Sequence, residues 1–138
     1  MTVKVSFPAI ADTQKVSKVV IVSDDKVLLL LRKINQPFSK QWDLPGGHLL
    51  EGETWVEGAV RETKEETNID LRNLKLVLQE GREAYFVVRG LDFSGRMFDH
   101  HELPEHDAYT WLRGVEIDKL KNISEKYYKV IKKVLKYK

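Results

Sequence analysis

Gly47-His48-Leu49-Leu50-Glu51-Gly52-Glu53, continuing through Thr54-Trp55-Val56-Glu57-Gly58-Ala59-Val60-Arg61-Glu62-Thr63-Lys64-Glu65-Glu66-Thr67-Asn68-Ile69, is the stretch on which the reading of this chain turns. Thr54 followed three residues later by Glu57 forms a capping box, which satisfies free amide donors at a helix start and predicts a helix over 54–67. At about 100° per residue, Val56, Ala59, Val60, Thr63 and Thr67 fall in one arc of the width expected of a face pressed onto a core. Glu62, Glu65 and Glu66, spaced i,i+3 and i,i+4, share a neighbouring arc, where like charges repel by a few tenths of a kcal/mol per pair. A helix selected for stability alone would avoid that. Two readings stay open from the glutamates by themselves. Either a hard divalent cation, Mg²⁺ or Mn²⁺, sits among the oxygens and bridges them to substrate phosphates, or the face is solvated and diluted by Arg61 and Lys64.

The residues around the glutamates follow the spacing G-x5-E-x7-R-E-U-x-E-E-x-G-U, where U is aliphatic. This strongly resembles the signature of the Nudix hydrolase family. Gly47, Glu53, Arg61, Glu62, Glu65, Glu66 and Ile69 match, while Thr63 replaces an aliphatic residue and Asn68 replaces glycine. Thr63 keeps a methyl for the buried face, and asparagine readily adopts the left-handed conformation that closes a helix. The resemblance implies an α/β/α sandwich with a mixed central sheet. It further implies metal ligation by Glu62, Glu65 and Glu66, with Glu53 paired to Arg61 to fix the loop to the helix and Arg61 orienting a carboxylate. The acidic residue that joins the metal site from a loop before a Trp-containing strand would be Glu105, with Glu102 second, acting as ligand or general base; Glu65 is the other base. Paired glycines permit close backbone approach, so a carbonyl at Gly46 or Gly47 is an added oxygen ligand.

A length of 138 residues with 42% apolar composition suits a single soluble domain over 1–138. Absence of cysteine excludes disulfides and thiolate metal ligands and fits a reducing cytoplasm. Neither a signal-peptide core nor an apolar run of the ~20 residues that span a bilayer is present, so no membrane role is expected. Net charge is +2, unevenly spread: residues 121–138 hold seven lysines and one glutamate. Such a basic segment attracts nucleic acid or an anionic membrane, but apolar residues recur between the lysines at helical spacing. The solvated side of an amphipathic helix is therefore favoured.

In chain order, Val3, Val5 and Phe7 alternate as a short strand ended by Pro8. Strands at 18–22 and 26–32 flank a turn at Ser23-Asp24-Asp25, and the leucine run implies burial on both faces. Arg32 and Lys33 stand where that strand emerges; either they meet substrate phosphates, as the resemblance implies for such basic positions, or they form a cationic strand end in water. Phe38 lies in a loop at 34–41 that is expected beside the site. Trp42 reads as a packing residue before a nucleotide platform. Leu74, Leu76 and Leu78 have strand period, and 84–93 reads as one longer strand followed by a Ser94-Gly95 turn. Arg82, Tyr85 and Arg89 are candidates to face a nucleotide, with alternation allowing only one side. His100 and His101 read as loop residues, since a carboxylate site is a hard-oxygen site. Asn122 with Glu125 predicts the capped start of a last helix, packed through Tyr127, Val130, Ile131, Val134 and Leu135.

The expected chemistry is divalent-metal-dependent hydrolysis of a phosphoanhydride in a nucleoside diphosphate linked to another group. The alternative is a non-hydrolytic nucleotide- or RNA-binding module that uses the lysine-rich helix. Monomer and homodimer, and the particular nucleotide, stay open.

Overall fold

The computed structural model describes residues 11–33 and 40–136. The expected strand at Val3–Phe7 and the loop residue Phe38 lie outside them. Strand β1 (Ala11–Ser23) turns through Asp24 and Asp25, both at positive φ (52° and 63°), into β2 (Lys26–Arg32). Two residues with φ above zero give the tight hairpin turn that matches strand twist. Side chains alternate across these two strands. Val19, Ile21, Leu28 and Leu30 enter one apolar cluster, while Val20, Val22, Val27 and Leu29 enter another on the opposite face. Both faces are covered, as the leucine run predicts.

The covers are helices. Helix α1 (Trp55–Thr67) contributes Ala59 to the first cluster, and α3 (Glu125–Lys136) contributes Val130, Ile131 and Val134 to the second. Between them β1 pairs in parallel with β7 (Glu83–Arg89) and antiparallel with β2 and with β4 (Gly46–Leu50). Short β3 (Trp42–Asp43) and β9 (His106–Arg113) flank β2, and β6 (Lys75–Glu80) closes the far edge beside β7. The sheet is therefore mixed and lies between helices, the α/β/α sandwich expected. A separate pair, β5 (Asp70–Leu71) with β8 (Phe93–Ser94), and the short α2 (Gly114–Ile117) complete the order.

Four local expectations need correction. Val56 is 43% exposed, because the buried arc of α1 is rotated toward β4: Gly58 packs on Leu49 and Glu66 is turned inward. Leu76 is 58% exposed, since β6 is an edge strand whose register shifts between Leu76 and Leu78. The strand expected to reach Phe93 stops at Arg89, where Gly90 at φ +58° leads into a 3-10 turn over Gly90–Asp92. Helix α3 is capped by Ser124, whose hydroxyl accepts the Tyr127 amide (3.1 Å), while Asn122 instead bonds the Lys40 carbonyl and receives the Trp42 amide at its own. The α1 caps are as read: Thr54 and Glu57 exchange both capping-box bonds, and Asn68 closes the helix at φ 73°. Among the described residues, no helix is long and apolar enough to cross a membrane.

Candidate active site

The Leu44–Gly47 turn is where the helix and the sheet meet at a cleft. Lys18↔Gly46 and Ser17↔Gly47 are register partners of β1 and β4. Gly46 presses so closely on β1 that a Cβ there would stand 2.1 Å from the Ser17 carbonyl oxygen, which only glycine, here at φ +118°, avoids. One residue on, a Cβ at Gly47 would stand 2.7 Å from Glu62 Oε1. The missing side chain leaves that carboxylate its place. On the next turn of α1, Glu66 reaches inward, is 5% exposed, and accepts the Gly46 amide on Oε1 at 2.9 Å.

The resulting cleft, about 610 Å³, is lined on this side by Gly46, Gly47, Glu62, Glu66 and Glu105. Burial pushes the Glu66 carboxyl well above its ordinary pKa, with Asp43 and Glu62 adding to the rise and Lys18 and the Gly46 amide opposing it. Burial also raises Glu62, partly offset by Arg61 and reinforced by Glu65 and Glu105. Both crowded acids thus ionise at higher pH than they would in water.

Arg61 organises the outer side. Its Nε and Nη2 donate to Glu53 (2.7 and 3.1 Å), Nη2 also reaches the His48 carbonyl (2.9 Å), and Nη1 bridges Glu62 (3.2 Å) and Glu65 (3.0 Å). Glu53 in turn accepts the Leu50 amide at 2.7 Å, so β4, the loop and α1 are tied together as expected. The arginine hydrogen bond holds the Glu53 carboxyl below its usual value. Glu65, by contrast, is exposed and bonded to Arg61 and does not line the cleft.

Sequence reasoning missed the buried floor. Lys18 Nζ donates to Asp43 Oδ1 (3.0 Å) and to the carbonyls of Leu44 (3.1 Å) and Gly46 (3.0 Å), while Asp43 Oδ2 takes Arg32 Nη1 (3.1 Å) and contacts His106 Nε2 (3.2 Å). Burial opposes the charge on both central groups. Asp43, Tyr127 and Glu66 nevertheless hold the Lys18 ammonium above its ordinary pKa, and Lys18 and His106 hold Asp43 well below the carboxylate range. A charged residue flanking an apolar run was the available signal at Lys18; Asp43, between Trp42 and Leu44, gave none.

Of the nucleotide-facing candidates, Arg32 and Tyr85 line the cleft. Arg32 is held by Asp43, and the Tyr85 hydroxyl donates to Glu83 at 3.0 Å. Lys33 and Arg82 do not line it; the Lys33 amide instead bonds the Glu105 carbonyl (3.2 Å), tethering that loop. Arg89 points to the Val134 carbonyl of α3. Trp42 packs against the second cluster and also lines the cleft, with Tyr127 beside it. Glu102, the second choice for the loop acid, is exposed on the 3-10 turn His100–Glu102, where its side chain caps Asp99. Asp99, His101 and Glu102 bring ligand atoms within 4.8 Å of one another, all exposed, with Asp99 and Glu102 drawn together by the capping box.

The donor set around the cleft fits a hard divalent ion. It is made of carboxylate oxygens beside a glycine whose missing Cβ leaves room for them, and it excludes sulfur. A Gly46 carbonyl ligand is disfavoured because Lys18 already occupies that oxygen.

A fold of mixed sheet between helices, with an Arg61-bridged glutamate face against a double-glycine turn, defines one class of domain. Consistent with it, the family model of the NUDIX domain matches residues 13–134, and the chain belongs to the Nudix family. Among curated relatives, an ADP-ribose pyrophosphatase of Methanocaldococcus jannaschii is 50% identical over 50 residues, 36% of this chain and 29% of that protein. The asymmetrical bis(5'-nucleosyl)-tetraphosphatase of Mus musculus is 35% identical over 80 residues, 51% of this chain and 54% of that protein. The chain thus matches about half or less of the length of these relatives. Among solved structures, a MutT protein from Bacillus halodurans superposes with a TM-score of 0.67 at 26% identity, covering 88% of this chain and 81% of that one.

Proposed function

We propose that this chain hydrolyses a phosphoanhydride bond in a nucleoside diphosphate linked to another group, with Mg²⁺ or Mn²⁺ as cofactor. The observation that carries the reading is that Glu62 and Glu66 line a substrate-sized cleft beside a double-glycine turn, where Gly47 leaves room for Glu62 and the Gly46 amide bonds Glu66. The two relatives, named as an ADP-ribose pyrophosphatase and a bis(5'-nucleosyl)-tetraphosphatase, belong to the same reaction class.

Glu62, Glu66, Glu105 and the Gly47 carbonyl would hold the ion, with Glu65 alongside on α1. When bound, a divalent ion neutralises phosphate charge and acidifies water. The chain's own residues do the rest. Arg61 and Glu53 fix the face of α1 from which the glutamates project. Glu105, exposed on its tethered loop and close enough to Glu62 to raise that carboxyl, holds or accepts the proton of the attacking water. Arg32, aligned by Asp43, presents positive charge to the phosphates, and Tyr85, Trp42 and Tyr127 form the wall for the group beyond them.

The test is a Mg²⁺-supplemented screen of nucleoside triphosphates, ADP-ribose and dinucleoside polyphosphates with product identification. Glu66→Gln is expected to keep the fold and lower kcat at least ~100-fold, the scale of acid-base and metal-site losses. Turnover near wild type would overturn the reading.

A further inference from the structure

Three successive carbonyls of the Leu44–Gly46 turn are engaged by two adjacent residues of β1. Leu44 and Gly46 accept from Lys18 Nζ at 3.1 and 3.0 Å, and Pro45 accepts from the Val19 amide at 2.9 Å. The third Lys18 proton goes to Asp43 at 3.0 Å, so all three donors of the ammonium are used. Lys18 is 6% exposed and Asp43 3% exposed. A buried ammonium is costly to desolvate, and the cost is offset only where geometry is complete, as here.

What the turn does next gives the pair its consequence. The Gly46 amide is the donor to Glu66 Oε1, and Gly47 is the surface on which Glu62 lies. A turn free to rotate would lose the amide from Glu66 and move the backbone under Glu62. Asp43 also grips Arg32 on its other oxygen, so one buried pair sets both the carboxylate side and the cationic side of the cleft.

Lys18 is part of the cleft lining, but its three donors are all spent on Asp43, Leu44 and Gly46; we propose that it is a positioning residue for metal capture and turnover, acting through the Leu44–Gly46 turn on Glu62 and Glu66. The inference rests on the hydrolase reading for its turnover arm and stands apart from it in its binding arm. Outer-shell partners of metal ligands typically carry 10–100-fold in affinity or activity, and that is the range expected here.

The experiment measures Mn²⁺ affinity of the full chain by the loss of the free-ion EPR signal, together with kcat and KM on the best substrate of the screen. Lys18→Met is expected to weaken Mn²⁺ at least ~10-fold and to lower kcat with KM little changed. If that variant does not fold, Lys18→Met with Asp43→Asn removes both buried charges and is expected to show the same weakened Mn²⁺ binding. Because the chain has no cysteine, Lys18→Cys can be aminoethylated at a single thiol while unfolded and then refolded. Returning the ammonium in this way is expected to recover Mn²⁺ affinity and kcat, which a merely space-filling role would not require. Wild-type affinity and kcat in a folded Lys18→Met or double variant, or no recovery on aminoethylation, would overturn the assignment. A wild-type chain that neither binds Mn²⁺ nor turns over any substrate would instead overturn the hydrolase reading.

Discussion

Thr63 carries a hydroxyl where the family signature has an aliphatic side chain, and the structure shows what that departure does. The residue is fully buried, and its Oγ1 finds no hydrogen-bond partner among the described residues, whereas the neighbouring Thr67 hydroxyl donates to the Thr63 carbonyl at 2.7 Å and receives the Ile69 amide at 3.1 Å. An unsatisfied buried hydroxyl costs about 1–3 kcal/mol. Thr63→Val is therefore expected to stabilise the chain by about 1 kcal/mol, read as a higher urea midpoint at unchanged m-value. At this scale the glutamates and Arg61 were legible because their spacing on one helix is enough to bring them together. Lys18, Asp43 and His106 were not, because residues from three strands far apart in sequence meet only through tertiary packing.

Elements were legible where a local signal and the tertiary contact agree. The capping box at Thr54 and the left-handed close at Asn68 are local, and α1 begins and ends there. The hairpin of β1 and β2 is likewise set by its two aspartates at positive φ. Disagreement arises where packing decides. Both Asn122 and Ser124 precede α3 as capping types, and the choice falls to Ser124 because Asn122 is drawn to Lys40 and Trp42 across the fold. Ser124→Ala is thus expected to cost about 1 kcal/mol through loss of the cap. Asn122→Ala should leave the helix start intact, and urea melts followed at 222 nm together with hydrogen exchange of the Tyr127 amide separate the two. The lysines of α3 follow the amphipathic reading as well. Lys126 pairs with Glu80 and Glu83, Lys129 with Glu125, and Lys132 with Asp118, so three of the lysines that would attract nucleic acid are met within the protein.

Across the whole molecule, two groups of shifted acids pull the pH dependence of stability in opposite directions. Asp43 ionises more readily folded than unfolded, so the stability it contributes is present above its ordinary value of 3.8 and is lost as pH falls below that. Glu66 and Glu62 are shifted upward, so the folded chain holds protons that the unfolded chain has released. Their contribution is complete below their ordinary value of 4.5 and is lost as pH rises from there through the raised values. Without metal, then, stability is expected to climb with pH on the acid side, peak near the ordinary carboxyl range, and decline toward neutrality as the buried carboxyls are forced to ionise. A divalent ion that binds only the folded, ionised site reverses the decline and adds about 2.7 kcal/mol when present at 100 times its Kd. Thermal melts from acid to neutral pH, with EDTA and with excess Mg²⁺, check this: the two curves should diverge as pH rises, and Glu66→Gln should both flatten the EDTA curve and shrink the divergence. Parallel curves would mean that the crowded carboxylates take up no ion, and Arg32 would then face a polyphosphate against the charge of Glu62, Glu66 and Glu105.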